Sequence, residues 1–109
     1  MKEKVSFLKN KIDLKSPNKN IVPVTTTIES NEKLYIGGCS IEDLVSKYDS
    51  PLYILDEITL RNSCKAYKKA LEKYYPGVSL PIYASKANSS IFMSNLIASE
   101  GFGLDAVSE

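Results

Sequence analysis

The sequence predicts an α/β protein assembled from strand–helix units whose strands run parallel. Three observations lead there. Short apolar runs recur along the chain, LYIL at 52–55, LPIYA at 80–84 and GLDAV at 103–107. Segments with helical periodicity lie between them, and the links are short, so the order reads strand, helix, strand, helix, strand. Parallel neighbours cannot be joined by a tight turn and need a crossover, right-handed by preference, which is what this alternation supplies.

Residues 1–27 show little period and are punctuated by SPNKN and Pro23, so a flexible extension is expected there. In IESNEKLYI, residues 28–36, Ser30-Asn31 signals a turn before a short strand, which Gly37-Gly38 ends. Ser40 stands three residues before Asp43 at the head of IEDLVSKY, a capping arrangement that predicts a helix over Ile41–Tyr48, closed by Asp49-Ser50-Pro51. LYIL then reads as a strand buried on both faces and ending at Asp56.

From Glu57 to Tyr75 the residues Leu60, Cys64, Tyr67, Leu71 and Tyr74 form one apolar helix face, with Lys65, Lys68, Lys69 and Lys73 largely on the opposite, solvated side. Pro76-Gly77 ends that helix, and LPIYA is the second buried strand. A helix over residues 90–100 is expected to bury Ile91, Phe92, Leu96 and Ile97, with Gly101 just past its carboxyl end. Gly101-Phe102-Gly103 is therefore a cap and not a dinucleotide fingerprint, because no helix follows it and the third glycine is missing. GLDAV forms the third strand.

Three strands cannot close a barrel. A TIM-type (β/α)8 barrel takes about 250 residues, so the expected architecture is the first three β/α units of such a barrel, truncated, occupying residues 28–109 after the extension. A doubly wound sheet is the alternative, and it too would need more chain.

With 109 residues, 43% hydrophobic and 25% charged, the chain is ordinary for a soluble protein and holds one domain at most. It has no apolar run long enough to span a bilayer and no signal-peptide pattern, so the cytoplasm is the expected compartment and no membrane partner is expected. With no histidine and two cysteines, it lacks the residues for a four-ligand zinc site or a Cys/His nucleophilic pair. Cys39 and Cys64 read as reduced thiols, Cys64 on a helix core face, although spacing alone leaves a disulfide open. Residues 1–20 carry six lysines against Glu3 and Asp13, while residues 21–109 carry eight basic and eleven acidic groups. The mildly acidic body lacks the basic stripe that nucleic acid requires.

Functional groups in parallel α/β folds collect at the carboxyl ends of strands, where this sequence places Asp56, Lys86 and Asp105. Alternation puts Ile82, Ala84 and Lys86 on one face of the second strand, with Tyr83 and Ser85 on the other. Small Ala84 leaves room beside the lysine for a flat ring, and a carboxylate at Asp105 could orient the lysine or a ligand. An ordinary lysine is neutral only about once in a few thousand at pH 7, so imine chemistry needs a desolvated or cation-rich setting. From the pattern alone Lys86 is either such a nucleophile or a surface lysine past a strand, and Asp105 either its partner or a strand-end aspartate.

YASKAN at 83–88, followed by GFGLDAVSE at 101–109, resembles the lysine and third-strand motifs of the alanine-racemase-like, pyridoxal-phosphate-dependent decarboxylases. GGCSIEDLVSKYDSPLYILDEITLRNSC resembles the upstream stretch of the diaminopimelate decarboxylases within that group, and the likeness runs from about Leu34 to the last residue. The resemblance implies a barrel domain, pyridoxal 5′-phosphate as cofactor, an amino-acid substrate and decarboxylation of meso-diaminopimelate to L-lysine. Related basic-amino-acid decarboxylases, racemases and a non-catalytic homologue are the alternatives. It implies that Lys86 attaches the cofactor and then works in proton transfer, that Asp105 and Ala84 lie beside the cofactor, and that Asn88 shapes the pocket. Asp56 and Glu57 match a structural strand-to-helix turn. In the family the phosphate-binding glycines, the partner of the ring nitrogen and a β-rich second domain lie beyond residue 109, and a homodimer completes the site. The fragment is not expected to catalyse alone.

Overall fold

The computed structural model describes residues 17–18, 20–30 and 32–106, and it is a mixed α/β structure. In chain order its elements are β1 (Thr27–Ile28), β2 (Leu34–Ile36), β3 (Cys39–Ser40), α1 (Ile41–Tyr48), α2 (Glu57–Tyr74), β4 (Ile82–Ala84), α3 (Ile91–Ser99) and β5 (Gly103–Asp105). The chain divides into two compact units, residues 1–59 and 60–109.

The first unit carries an antiparallel meander in the order β1-β2-β3. The predicted strand near residues 34–36 is its middle member, pairing Tyr35 with Thr27 on one side and with Ser40 on the other. Gly37 and Gly38, at φ 58° and 78°, make the two-residue link between β2 and β3, in the positive-φ conformation that a tight hairpin demands at both positions. Most of the expected flexible extension lies outside the described residues, but its end is folded. Thr25 Oγ1 accepts from the Gly37 amide at 2.9 Å, Thr26 is buried, and Thr27 belongs to β1.

Helix α1 has the predicted bounds, and Ser40 Oγ accepts from the Asp43 amide at 3.4 Å at its start. LYIL does not form the predicted strand. No described residue pairs with 52–55, and Tyr53 is 99% exposed while Leu52 and Ile54 are half-buried. An apolar run becomes a ladder only where a neighbouring edge offers hydrogen-bond partners, and composition does not encode that edge. Asp56, at the end of the run, is buried and caps α2. Its Oδ2 accepts from the Thr59 amide at 3.0 Å and from the Thr59 hydroxyl, and Thr59 Oγ1 in turn accepts from the Val24 amide at 2.9 Å. The carboxylate thus ties the start of α2 to the segment ahead of the meander.

In the second unit β4 and β5 pair in parallel, Ile82 with Gly103, Tyr83 with Leu104 and Ala84 with Asp105, with α3 as the intervening crossover. The core consists of Cys64, Met93, Leu96 and Ile97, with Leu60, Tyr83 and Phe102 packed against it. The α3 stripe is therefore Met93, Leu96 and Ile97, and the predicted Ile91 and Phe92 are exposed, at 80% and 45%. Ser90 is the N-cap, its Oγ accepting from the Met93 amide at 3.3 Å, and with Met93, Leu96 and Ile97 packed inward Ile91 falls on the outer side. On α2, Tyr67 and Tyr74 are exposed at 67% and 74%, against the predicted apolar face. The covered side instead runs through Leu60, Arg61, Cys64, Lys68 and Leu71, because the polar end of α3 docks there.

That end is closely partnered. The Phe102 amide donates to Ile97 O at 3.2 Å and the Gly101 amide to Ala98 O at 3.0 Å, with Gly101 at φ 78°, so the predicted glycine cap is present in Schellman form. Lys68, predicted on the solvated face, donates to Glu100 O at 3.0 Å. Arg61 Nη1 donates to Glu100 Oε1 at 2.6 Å and to Ser99 Oγ at 3.0 Å. Cations at a helix carboxyl end complement its dipole as well as its unpaired carbonyls. Both cysteines are free, and burial pushes the Cys64 thiol above its usual value.

Two outcomes follow from these contacts. Asp56→Ala removes the α2 cap and is expected to cost about 1–2 kcal/mol in a denaturant titration. The Arg61 hydrogen bond holds the Glu100 carboxyl below its usual range, helped by the charges of Lys65, Arg61 and Lys68 and opposed by desolvation. The stabilisation from a lowered carboxyl is present above the unfolded value near pH 4.3 and is lost as pH falls through the folded one. Glu100→Gln is accordingly expected to lower the melting temperature at pH 7, with the difference from the parent shrinking as pH is brought down through the folded value.

Candidate cofactor-anchoring site

Period-two geometry on β4 separates two kinds of environment. Tyr83 faces the helices and packs on the Cys64–Met93–Leu96–Ile97 core, whereas Ile82 and Ala84 face the other way and are exposed. Because parallel partners in register share a face, Asp105 stands beside Ala84 on that exposed side, at the carboxyl end of β5.

Lys86 follows two residues later, but not on the strand. Residues Ser85–Ala87 form a single 3-10 turn, so the expected alternation stops at Ala84. A strand continues only while its backbone finds a ladder, and β5 pairs no further than Asp105 among the described residues. Lys86 is consequently an exposed residue on a turn over the carboxyl end of the sheet. Among the described residues no hydrogen bond or ion pair engages its side chain.

The turn is closed on both sides by polar contacts. Tyr83 Oη donates to Asn88 O at 3.3 Å, spanning the turn, and Asn88 Oδ1 accepts from the Ser90 amide at 3.0 Å just before the Ser90 cap of α3. The sequence pattern assigns Asn88 a pocket-shaping part and Tyr83 none. The signal for the second was the tyrosine's place three residues ahead of the lysine, which has no meaning until the chain is known to double back.

The structure thus brings Ala84 and Asp105 side by side and sets Lys86 on the turn that follows Ala84. Asp56 and Glu57 belong elsewhere, at the start of α2, with the Asp56 carboxylate committed to its cap. A cleft of about 400 Å³ in the first unit is lined mainly by apolar side chains such as Ile36, Leu44, Ile54 and Leu55, and it includes none of Ala84, Lys86 and Asp105. Among the described residues no group of three His, Cys, Asp or Glu side chains is placed to hold a metal ion, and no helix is long and apolar enough to cross a membrane.

The residues present suit an aldehyde-bearing, flat cofactor. A primary amine with no side-chain partner among the described residues is carried on the turn after β4, Ala84 ends that strand with only a methyl side chain, and a carboxylate lies on the neighbouring strand.

Neither a family model nor a solved structure matches the chain. Curated relatives do. The diaminopimelate decarboxylase of a Synechocystis strain is 50% identical over 93 residues, which is 85% of this chain and 20% of that relative. Those of Bacillus subtilis and Methanothermobacter thermautotrophicus are 41% identical over 76 residues and 36% over 83, covering 69% and 74% of the chain and 17% and 19% of the relatives. The chain spans about a fifth of the length of the curated relatives it matches. Identity of this order over most of the chain, in a stretch that contains the YASKAN lysine, means that over its matched residues the chain belongs to the diaminopimelate decarboxylase family.

Proposed function

We propose that the full-length protein carrying this chain is a pyridoxal-phosphate-dependent decarboxylase that converts meso-2,6-diaminopimelate to L-lysine and carbon dioxide. The observation that carries this reading is the position of Lys86, exposed and without a side-chain partner among the described residues, on a turn at the carboxyl end of two parallel strands, within a sequence 50% identical over 93 residues to a named diaminopimelate decarboxylase. On this reading residues 28–109 are the amino-terminal part of a TIM-type barrel domain, its first β/α units following the β1–β3 meander, and residues 1–27 are an extension whose last residue enters β1. The exposure of Ile82 and Ala84 opposite the helix-covered face supports it, since that is the side a closed barrel fills with its own side chains. The remaining strands, the rest of the cofactor site and a homodimeric partner would come from beyond this chain, and the setting would be the cytoplasm.

Lys86 Nζ would hold the cofactor covalently, and Asp105 would orient that amine or a polar group of the ring. Ala84 would admit the ring edge without a clash. Pyridoxal phosphate, when bound, supplies the electron sink for the pair left as the carbon–carbon bond to the departing carboxylate breaks. Lys86 Nζ, released when the substrate amine takes its place, would carry a proton to or from the reacting carbon. A positioned proton-transfer group of this kind contributes about a hundred- to ten-thousandfold.

In the full-length protein the cofactor is expected to give a visible absorption band that borohydride abolishes, with the label recovered on the peptide containing Lys86. Lys86→Ala should lose the band and at least about a hundredfold in lysine formation. A band that survives the substitution would overturn the assignment. Turnover of diaminopimelate in preference to ornithine, arginine or alanine is the expected substrate profile.

A further inference from the structure

We propose that Tyr83 is a positioning residue for Lys86, its hydroxyl latching the turn that presents the lysine; this rests on the cofactor-anchoring role proposed above. The ring of Tyr83 is packed on the core of the second unit, and that packing would be served equally by phenylalanine. The hydroxyl does something separate. It donates across the turn to the carbonyl of Asn88 at 3.3 Å, so the backbone from 83 to 88 becomes a closed loop with Lys86 at its middle. The far side of the loop is held by the Asn88 side chain on the Ser90 amide and by the Ser90 cap on Met93.

No contact of its own side chain fixes Lys86 among the described residues, so its direction is set by the backbone it stands on. A short turn held at one end by β4 and at the other by α3 would still have freedom about Ser85–Ala87, and the hydroxyl removes it by anchoring the turn to the rigid core. Because Asp105 and Ala84 sit on paired strands, a lysine held by the same strand's tyrosine keeps a constant relation to both. Preorganisation of this sort acts on cofactor capture more than on global stability.

The test compares the full-length protein with its Tyr83→Phe variant, which keeps the ring and loses only the hydroxyl. Three measurements apply: amide hydrogen exchange across residues 85–89 against that of α3, affinity of the cofactor-stripped protein for pyridoxal phosphate, and borohydride-trapped labelling of Lys86 relative to exposed Lys65. One net hydrogen bond predicts faster exchange at 85–89 alone, and cofactor affinity and Lys86 labelling each lowered about three- to tenfold. The melting temperature should stay within about 2–4 °C of the parent. Unchanged exchange and labelling in the variant would overturn the latch, and so would exchange raised uniformly through α3 with a matching fall in melting temperature, because that is the behaviour of a core filler. If Lys86 in the unaltered protein labels no faster than Lys65, the anchoring role fails and takes the positioning role with it. Altered exchange confined to 85–89 would then show the latch to be a feature of the turn alone.

Discussion

The second unit depends on the docking of α3 against β4 and α2 through Met93, Leu96 and Ile97. Two strands that run parallel cannot be joined by a hairpin, so the chain between β4 and β5 must leave the sheet, travel back as a helix and return. That excursion is stable only if the helix buries a stripe, and the stripe meets Cys64, Leu60 and Tyr83. The end of the helix then has to turn sharply into β5. Gly101 supplies the backbone conformation, Phe102 places its ring back on the core, and Arg61 and Lys68 of α2 engage the last residues of the helix. The parallel register of β4 and β5, and with it the adjacency of Ala84 and Asp105, is a consequence of this one packed crossover.

Polar groups are used differently in the two units. In the first, the Asp56 carboxylate is consumed by structure, accepting from both donors of Thr59, which itself receives the Val24 amide. Its Oδ2 is thereby engaged in the α2 cap, which accounts for its place at the end of an apolar run. In the second unit Lys86 and Asp105 are exposed, Lys86 on the turn after β4 and Asp105 at the last position of β5.

The helices were legible because their signals are local. Ser40 three residues before Asp43 bounded α1, the long periodic segment after Asp56 was α2, and Gly101 marked the end of α3. Where the helices depart from expectation, the question is which side a residue shows. Tyr67 and Tyr74 keep step with Leu60 and Cys64 in sequence, yet the helix is covered along a line that includes Arg61 and Lys68, since the partner there is the polar end of another helix. Ile91 and Phe92 are apolar yet exposed, while Met93, whose backbone amide meets the Ser90 cap, is buried with Leu96 and Ile97. LYIL shows the same limit for strands, because a ladder needs a neighbour that the run itself does not name.

By itself the sequence determined the family and put a lysine at position 86 within YASKAN, because residue identities shared with relatives are written in the chain directly. Only the tertiary structure decided how that lysine is held. The alternation that would have put Lys86 on the strand face ends at Ala84, and the residue rides instead on a turn closed by the Tyr83 hydroxyl and the Asn88 side chain. Hydrogen bonds of that kind form between groups brought together when the chain doubles back on a packed core, and no local pattern of residues specifies them.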